Sequence, residues 1–177
     1  PAALKIESPH TAHKTDAGGV RLGLDTETAI RAAFEDIVAN AAARFPHARI
    51  EGVAVQPMAP AGTELVIGLQ RDPVFGVVVM VGLGGILIEV LRDVAFRKAP
   101  VTTAQALAML DELQGRAVLD GVRGKPPVSK AAAADLLVRI SLFGATHAAR
   151  LRELDLNPVI APGPTLYAVD WLLVLDD

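Results

Sequence analysis

A run of fifteen residues without a charge, VFGVVVMVGLGGILI at positions 74–88, limits what this chain can fold into more than any other part of its sequence. A membrane-spanning helix needs about 20 consecutive apolar residues, so the run is too short to span as a helix. It is rich in valine, which favours strands, and Gly82, Gly84 and Gly85 interrupt it. The run therefore predicts two buried strands joined by a tight connection in the core of a sheet, and no membrane association.

Strand patterns lie on both sides of this run. AALKI, VRLGL and RIEGVAVQPM come before it in the chain. ELVIGLQR, VFGVVVMVG, GILIEVL and VAFRKA follow one another with short connections, which is typical of an antiparallel sheet. ELDLNPV and TLYAVDW, separated by the turn sequence APGP, predict two closing strands.

Three segments show the apolar spacing of helices. Asp25 is placed to cap the first, which ends before Pro46. Thr102 or Thr103 is placed to cap the second, and Ser129 the third. Together the strands and helices predict an α+β fold, with a small first lobe over residues 1–57 and a larger second lobe over residues 58–177.

Composition and charge exclude several classes of function. The chain has 177 residues, of which 51% are hydrophobic, so it can bury a full core as one domain or two small subdomains. The 17 lysines and arginines are outnumbered by 20 aspartates and glutamates, which gives no basic footprint for nucleic acid. The absence of cysteine excludes disulfides and thiolate metal sites, and is compatible with a cytoplasmic protein.

The stretch SPHTAHKTDAGGV, residues 8–20, has the residue types that handle phosphate. Glycines allow close backbone approach and offer N–H groups to an anion, while lysine supplies a positive charge. The stretch matches neither the P-loop pattern nor the dinucleotide-binding glycine pattern. GLGG at 82–85 lacks the following helix that dinucleotide binding needs, so we interpret it as a tight strand connection.

Two oxygen-bearing side chains stand two residues apart near the end of the chain. Asp155 and Asn157 would face the same side of one strand, and Asp170 would lie on the following strand. Magnesium prefers oxygen ligands, keeps several waters and takes the rest of its shell from nucleotide phosphates. A magnesium site is one interpretation, and a strand end before a turn at LNP is the other.

Three blocks carry a family resemblance: ALKI with HKTDAGGVRLGL, then EGVAVQPMAPAGTELVIGLQRDPVFGVVVMVGLGG, then LRELDLNPVIA. In this order and spacing they resemble the ATP-grasp domain of the NDP-forming acyl-CoA synthetases, the ADP-forming acetate–CoA ligase group related to succinyl-CoA synthetase. The resemblance covers essentially the whole chain. It implies an ATP-grasp fold with two lobes around an antiparallel sheet, of which the first elements of the N-terminal lobe are expected to be missing here.

The resemblance also implies chemistry: acid, CoA and ATP are converted to acyl-CoA, ADP and phosphate through phosphohistidine. ATP or ADP and Mg²⁺ are the expected cofactors. The expected partners are CoA-binding and phosphohistidine domains, in the same polypeptide or in a partner subunit. A homo-oligomer is compatible with the resemblance, and the isolated chain is expected to be inactive in acyl-CoA formation.

The resemblance assigns roles to individual residues. Lys5, Gly18 and Gly19 would contact the nucleotide phosphates, while Gln56 and Ala59 would lie near the adenine. Glu64 would contact the nucleotide close to the ribose. His13 would act as a relay that carries the phosphoryl group. Asn157 and Asp170 would be the principal magnesium ligands, with Asp155 as a third ligand or a hydrogen-bond acceptor.

Two other functions stay open at this point. The chain could be a nucleotide-sensing domain with the same fold and no phosphoryl transfer, or an ATP-grasp carboxylate–amine ligase. Lys5, His13, Asn157 and Asp170 favour the acyl-CoA synthetase, because a fold does not dictate function and these side chains carry the chemistry.

Overall fold

The computed structural model describes residues 1–8, 18–85, 92–122, 124 and 126–176. These residues form two compact units, Pro1–Met58 and Ala59–Asp177. His13 lies outside the described residues, and so does the predicted strand GILIEVL apart from its first residue, Gly85.

The first unit is a three-stranded antiparallel sheet with one helix. Strands β1 (Ala2–Glu7), β2 (Val20–Leu24) and β3 (Gly52–Pro57) are ordered β2-β1-β3, so β1 is central. Helix α1 (Glu27–Arg44) packs its buried residues against β1. The predicted strands and helix of this unit are thereby confirmed.

The start of α1 differs from the sequence prediction, which was wrong about the capping residue. Thr26 has extended backbone angles and its side chain accepts a hydrogen bond from the N–H of Ala29 at 3.2 Å. A capping side chain must reach the N–H groups of the second or third helical residue. Asp25 stands one position too early for this geometry, and its carboxylate pairs instead with the amino group of Pro1 at 3.5 Å.

The second unit contains an antiparallel sheet whose strands are ordered β6-β5-β4-β7, with β8 and β9 both paired to β7. Its strands are β4 (Thr63–Asp72), β5 (Gly76–Leu83), β6 (Val94–Lys98), β7 (Leu151–Ala161), β8 (Tyr167–Ala168) and β9 (Trp171–Leu175). Its helices are α2 (Thr103–Glu112), the 3-10 helix η1 (Arg116–Asp120) and α3 (Lys130–Thr146). Thr102 and Ser129 cap α2 and α3, as predicted.

Among the described residues, helices α2 and α3 cover one face of this sheet. Leu65, Ile67 and Leu69 of β4 join a buried core with residues of α2 and α3. Because side chains alternate along a strand, Gln70 points to the opposite face, which is open at this position. The α+β architecture with antiparallel pairing is confirmed, and the open face is where the predicted magnesium ligands must be sought.

The valine-rich run behaves as predicted over its described part. Val77, Val79 and Val81 of β5 are buried in the core of the sheet. Within the described part of the chain, no helix is both long and apolar enough to cross a membrane.

Candidate functional site

The three predicted magnesium ligands come together beside β7. Asp155 lies opposite Gly68 of β4, and the side chain of Asn157 hydrogen-bonds the Asp155 carboxylate. The N–H of Asn157 donates to the carbonyl of Asp170 at 3.2 Å. Asp170 lies between β8 and β9, one residue before β9, rather than within a strand as the sequence predicted.

The strand pairing of β7 is irregular beside these residues. Leu156 pairs with Ile67, but the next pair joins Val159 to Leu65, so β7 has one extra residue over this step. A bulge bends a strand and re-aims the side chains beside it. The extra residue falls within 157–158, next to the hydrogen bond between the Asn157 side chain and the Asp155 carboxylate.

The electrostatic environment of Asp155 disfavours its negative charge. Burial raises the pKa of the Asp155 carboxyl, and the nearby charges of Glu153 and then Asp170 raise it further, while the hydrogen bond from Asn157 acts in the opposite direction. A carboxylate surrounded by like charge gains most from a bound cation. The cluster of Glu153, Asp155 and Asp170 is therefore an attractive place for a divalent cation.

The donor set fits magnesium that is shared with a ligand. No three histidine, cysteine, aspartate or glutamate side chains among the described residues are grouped to hold a metal by themselves. Two carboxylates and one amide are few ligands, but Mg²⁺ commonly takes one or two protein carboxylates and completes its shell with phosphate oxygens and water. The residues present thus fit a magnesium ion that arrives with a nucleotide.

An open cavity of about 370 Å³ adjoins the cluster on the uncovered face of the sheet. Its walls include Gly68, Met80 and Phe96, together with the carboxylates of Glu153 and Asp155. Gly68 is buried opposite Asp155, and a Cβ there would lie 3.5 Å from the terminal carbon of Met80 and 3.9 Å from Oδ1 of Asp155. A ligand in this cavity would meet apolar side chains on one side and the acidic cluster on the other.

Glu64 lies on the same open face, four residues before Gly68 on β4. Its side chain is exposed. Its carbonyl accepts a hydrogen bond of 2.7 Å from the N–H of Gly84, directly after β5. Ala59, half-buried, belongs to the segment that leads into β4. The structure therefore brings Glu64 onto the face that carries the acidic cluster.

The remaining described site residues belong to the first unit. Lys5 stands on β1 between Val20 and Ala54 and is only 6% exposed. Its neighbours Leu4 and Ile6 pack toward α1, so Lys5 points to the other face of its sheet. Gln56 is exposed on β3.

The glycine pair of the first unit precedes β2. Gly18 has a φ of 64°, a left-handed conformation that favours glycine. The carbonyl of Gly19 accepts a hydrogen bond of 2.8 Å from the N–H of Ile6 on β1. His13, which precedes this pair, lies outside the described residues.

Sequence reasoning missed two features of the site. Glu153 contributes to the charge around Asp155, and its position two residues before Asp155 on one strand was a usable signal. The contact between Gly84 and Glu64 had no comparable signal, because the two residues stand twenty positions apart and meet only through the pairing of β4 with β5.

A family model described as ATP-grasp domain matches residues 1–175. Among curated proteins, acetate–CoA ligase [ADP-forming] I of Archaeoglobus fulgidus is 44% identical over 177 residues, which are 100% of this chain and 26% of that protein. The acetate–CoA ligase [ADP-forming] I subunit beta of Pyrococcus furiosus is 41% identical over 175 residues, covering 99% of this chain and 75% of the subunit. The chain thus spans about a quarter of the first relative and three quarters of the second.

Solved structures agree with these relatives. The dinucleotide-forming acetyl-coenzyme A synthetase 1 of Ca. Korarchaeum cryptofilum, in complex with coenzyme A, Ca-AMPCP and HgCl⁺, has a TM-score of 0.95 and 44% identity, covering 99% of this chain and 76% of that one. Another structure of that enzyme contains Mg-AMPPCP and a phosphohistidine segment pointing towards the nucleotide-binding site. It has a TM-score of 0.81 and 41% identity, covering 99% of this chain and 76% of that one.

Proposed function

This chain belongs to the ATP-grasp domain family of the ADP-forming acetate–CoA ligases, and we propose that it is the nucleotide-binding, phosphoryl-transferring part of an acyl-CoA synthetase. The ATP-grasp fold expected from the sequence is confirmed. The full reaction would convert acid, CoA and ATP to acyl-CoA, ADP and phosphate. The CoA-binding and phosphohistidine domains would be supplied by the same polypeptide or by a partner subunit.

The convergence of Asp155, Asn157 and Asp170 carries this proposal. An acidic cluster with an amide on an open sheet face suits a magnesium–nucleotide complex better than a structural metal. Asn157 and Asp170 would hold the magnesium, with Asp155 as a further ligand or an acceptor that orients Asn157. Bound magnesium would neutralise phosphate charge during the transfer.

The other predicted residues would also contact the nucleotide. Glu64 would accept hydrogen bonds from the ribose hydroxyls, and its place on the same sheet face as Asp155 supports this role. Lys5 would offer its ammonium group to the phosphates, and its 6% exposure limits competition from water. Gly18 and Gly19 would present backbone N–H groups to the phosphates, while Gln56 and Ala59 would lie beside the adenine.

His13 would be the phosphoryl relay. A neutral imidazole is nucleophilic near neutral pH, and attack of its nitrogen on the terminal phosphorus would break the bond to ADP and leave a phosphohistidine. The phosphoryl group would then pass to the histidine of a partner domain. The phosphohistidine segment of the Ca. Korarchaeum cryptofilum enzyme, which points towards its nucleotide site, supports a transfer between domains.

Asp170→Asn tests the metal centre in the intact enzyme that contains this chain. We expect ATP-dependent acyl-CoA formation to fall about a hundredfold, which corresponds to about 2.7 kcal/mol of transition-state stabilisation. Electron paramagnetic resonance with Mn²⁺ in place of Mg²⁺ should show weaker nucleotide-dependent metal binding. Asp135→Asn is the matched control, because Asp135 is an exposed aspartate on α3 that forms an ion pair with Arg139, one turn further along the same helix. Unchanged turnover of Asp170→Asn at limiting magnesium would remove Asp170 from the site.

His13→Ala tests the relay, with His10→Ala as its control. Incubation of the intact enzyme with γ-labelled ATP should place acid-labile label on His13. The His13→Ala enzyme should bind ATP normally but stop forming acyl-CoA, whereas His10→Ala should be active. Normal turnover in His13→Ala would reject the relay.

A further inference from the structure

We propose that the glycine pair Gly84–Gly85, which follows β5, orients the Glu64 carboxylate. This orientation sets the preference of the site for nucleotides with ribose hydroxyls. This inference rests on the proposed function, in which Glu64 contacts the ribose. Gly84 and Gly85 act through Glu64 and are positioning residues.

Gly84 lies directly opposite Glu64 on the neighbouring strand. The register of β4 and β5 pairs Leu65 with Leu83, and the next step places Gly84 across from Glu64. The N–H of Gly84 donates to the Glu64 carbonyl at 2.7 Å, so the ladder continues through this pair. A Cβ on Gly84 would lie 2.9 Å from the Glu64 Cβ and 3.1 Å from its carbonyl carbon. Only glycine therefore lets the two backbones approach this closely.

Gly85 lies beside the Glu64 carboxylate. A Cβ on Gly85 would lie 3.2 Å from Oε2 of Glu64 and 3.9 Å from its carboxyl carbon. The Glu64 side chain therefore extends across Gly84 to Gly85, over the space that two missing side chains leave open. A methyl group at position 85 would be closer to Oε2 than an ordinary van der Waals contact, so the carboxylate would have to shift by a few tenths of an ångström.

The contact with the glycine pair affects the entropy that the Glu64 side chain loses when it binds a ligand. Glu64 is exposed, so a long side chain at this position would sample several rotamers unless something restricted it. A carboxylate held against the glycine turn loses less side-chain entropy when it accepts hydrogen bonds from a ligand. Hydroxyl groups are the expected donors, and a nucleotide that lacks one leaves the carboxylate with a lost bond.

Gly76 provides a matched control for the backbone. Gly85 and Gly76 have φ values of 63° and 77°, so alanine is strained at both positions. At Gly76, however, an added Cβ would meet no atom within 4 Å. Gly76→Ala thus reproduces the backbone strain of Gly85→Ala without any contact to Glu64.

Calorimetry on the intact enzyme measures dissociation constants for ATP, 2′-deoxyATP and 3′-deoxyATP. The wild type is compared with four variants: Gly85→Ala, Gly76→Ala, Glu64→Gln, and the double variant Gly85→Ala with Glu64→Gln. We expect Gly85→Ala to weaken ATP binding about tenfold and to reduce the discrimination against at least one deoxynucleotide. Gly76→Ala should lower the melting temperature but keep wild-type affinities. The double variant should bind ATP no more weakly than Glu64→Gln, because coupled residues are not additive.

The outcomes separate this inference from the proposed function. If Glu64→Gln weakens ATP binding and Gly85→Ala keeps wild-type affinity and discrimination, the positioning role is rejected while the nucleotide site stands. If Gly85→Ala weakens ATP binding and Glu64→Gln does not, Gly85 acts by another route and the inference is again rejected. If neither variant changes ATP binding, the role of Glu64 in the proposed function fails together with the inference.

Gly85→Asn covers the case in which Gly85→Ala does not fold. Asparagine tolerates the left-handed conformation better than alanine does, yet its side chain would still occupy the space beside the Glu64 carboxylate. It is expected to show the same loss of ATP affinity and discrimination. Wild-type values in a folded Gly85→Asn enzyme would overturn the inference.

Discussion

Asp155 holds a negative charge in surroundings that disfavour it. Burial is the main cause of its raised pKa, and Glu153 and Asp170 add to it. Because the folded-state pKa is above the unfolded value, the ionised carboxylate costs stability in the folded protein. This cost is present at pH values above the folded pKa and disappears as the pH falls through it. A residue that destabilises the free protein but suits a cation is typical of a functional site.

Asp155→Asn should therefore stabilise the enzyme in the absence of metal and nucleotide. We expect a rise in melting temperature of about 1–3 °C at pH 7, and this gain should shrink as the pH is lowered through the folded pKa of Asp155. The same variant should bind magnesium–nucleotide more weakly than the wild type. Differential scanning calorimetry across pH values checks the first expectation, and a lower melting temperature at pH 7 would contradict it.

At the scale of elements, helix α3 packs closely against the sheet at a glycine. Gly144 is buried, and a Cβ there would lie 2.8 Å from a terminal carbon of Leu69 and 2.9 Å from one of Val77. Glycine normally costs a helix about 1 kcal/mol relative to alanine. Here it allows α3 to approach β4 and β5, so close packing outweighs helix propensity.

Gly144→Ala should consequently destabilise the protein, although helix propensity alone predicts the opposite sign. Overpacking of a core costs about 1–3 kcal/mol, measured as the free energy of unfolding in urea. A Leu69→Ala background removes the Leu69 part of the clash and leaves that with Val77, so the same substitution should cost less there. An equal cost in both backgrounds would show that the contact with Leu69 is not the cause.

At the scale of the whole molecule, each unit has a hydrophobic core of its own. The buried core of the first unit comprises Leu4, Ile6, Ala33, Ile37 and Ala41. The second unit has a much larger core between its sheet and helices. Small cores give marginal stability, so the first unit should open more readily than the second.

Ile37→Ala should increase opening of the first unit selectively. Ile37 is fully buried, and truncation of a buried isoleucine costs about 2–5 kcal/mol. Hydrogen exchange followed by mass spectrometry should show faster exchange in peptides from residues 18–58 and unchanged exchange in β4, β5 and β7. Equal acceleration in both units would show that they unfold as one cooperative body.

Much of the fold follows from local patterns. The uncharged valine run, the threonine and serine caps of α2 and α3, and the alternation along β7 predicted elements that the structure contains. The error at Asp25 arose because two neighbouring residues both had capping side chains, and only backbone geometry selects Thr26. The choice of Asp155, Asn157 and Asp170 as metal ligands stays a prediction, although their convergence supports it.

The sequence by itself determined the alternation of apolar and polar residues, hence which elements form and which faces are buried, because these depend on residues a few positions apart. Only the tertiary structure decided contacts between distant segments. The N–H of Asn157 meets the carbonyl of Asp170, the pairing of β4 with β5 sets Gly84 and Gly85 against Glu64, and the packing of α3 makes Gly144 necessary. Such contacts depend on strand register and helix approach, which are set by the packing of the whole core and leave no periodic signal in the chain.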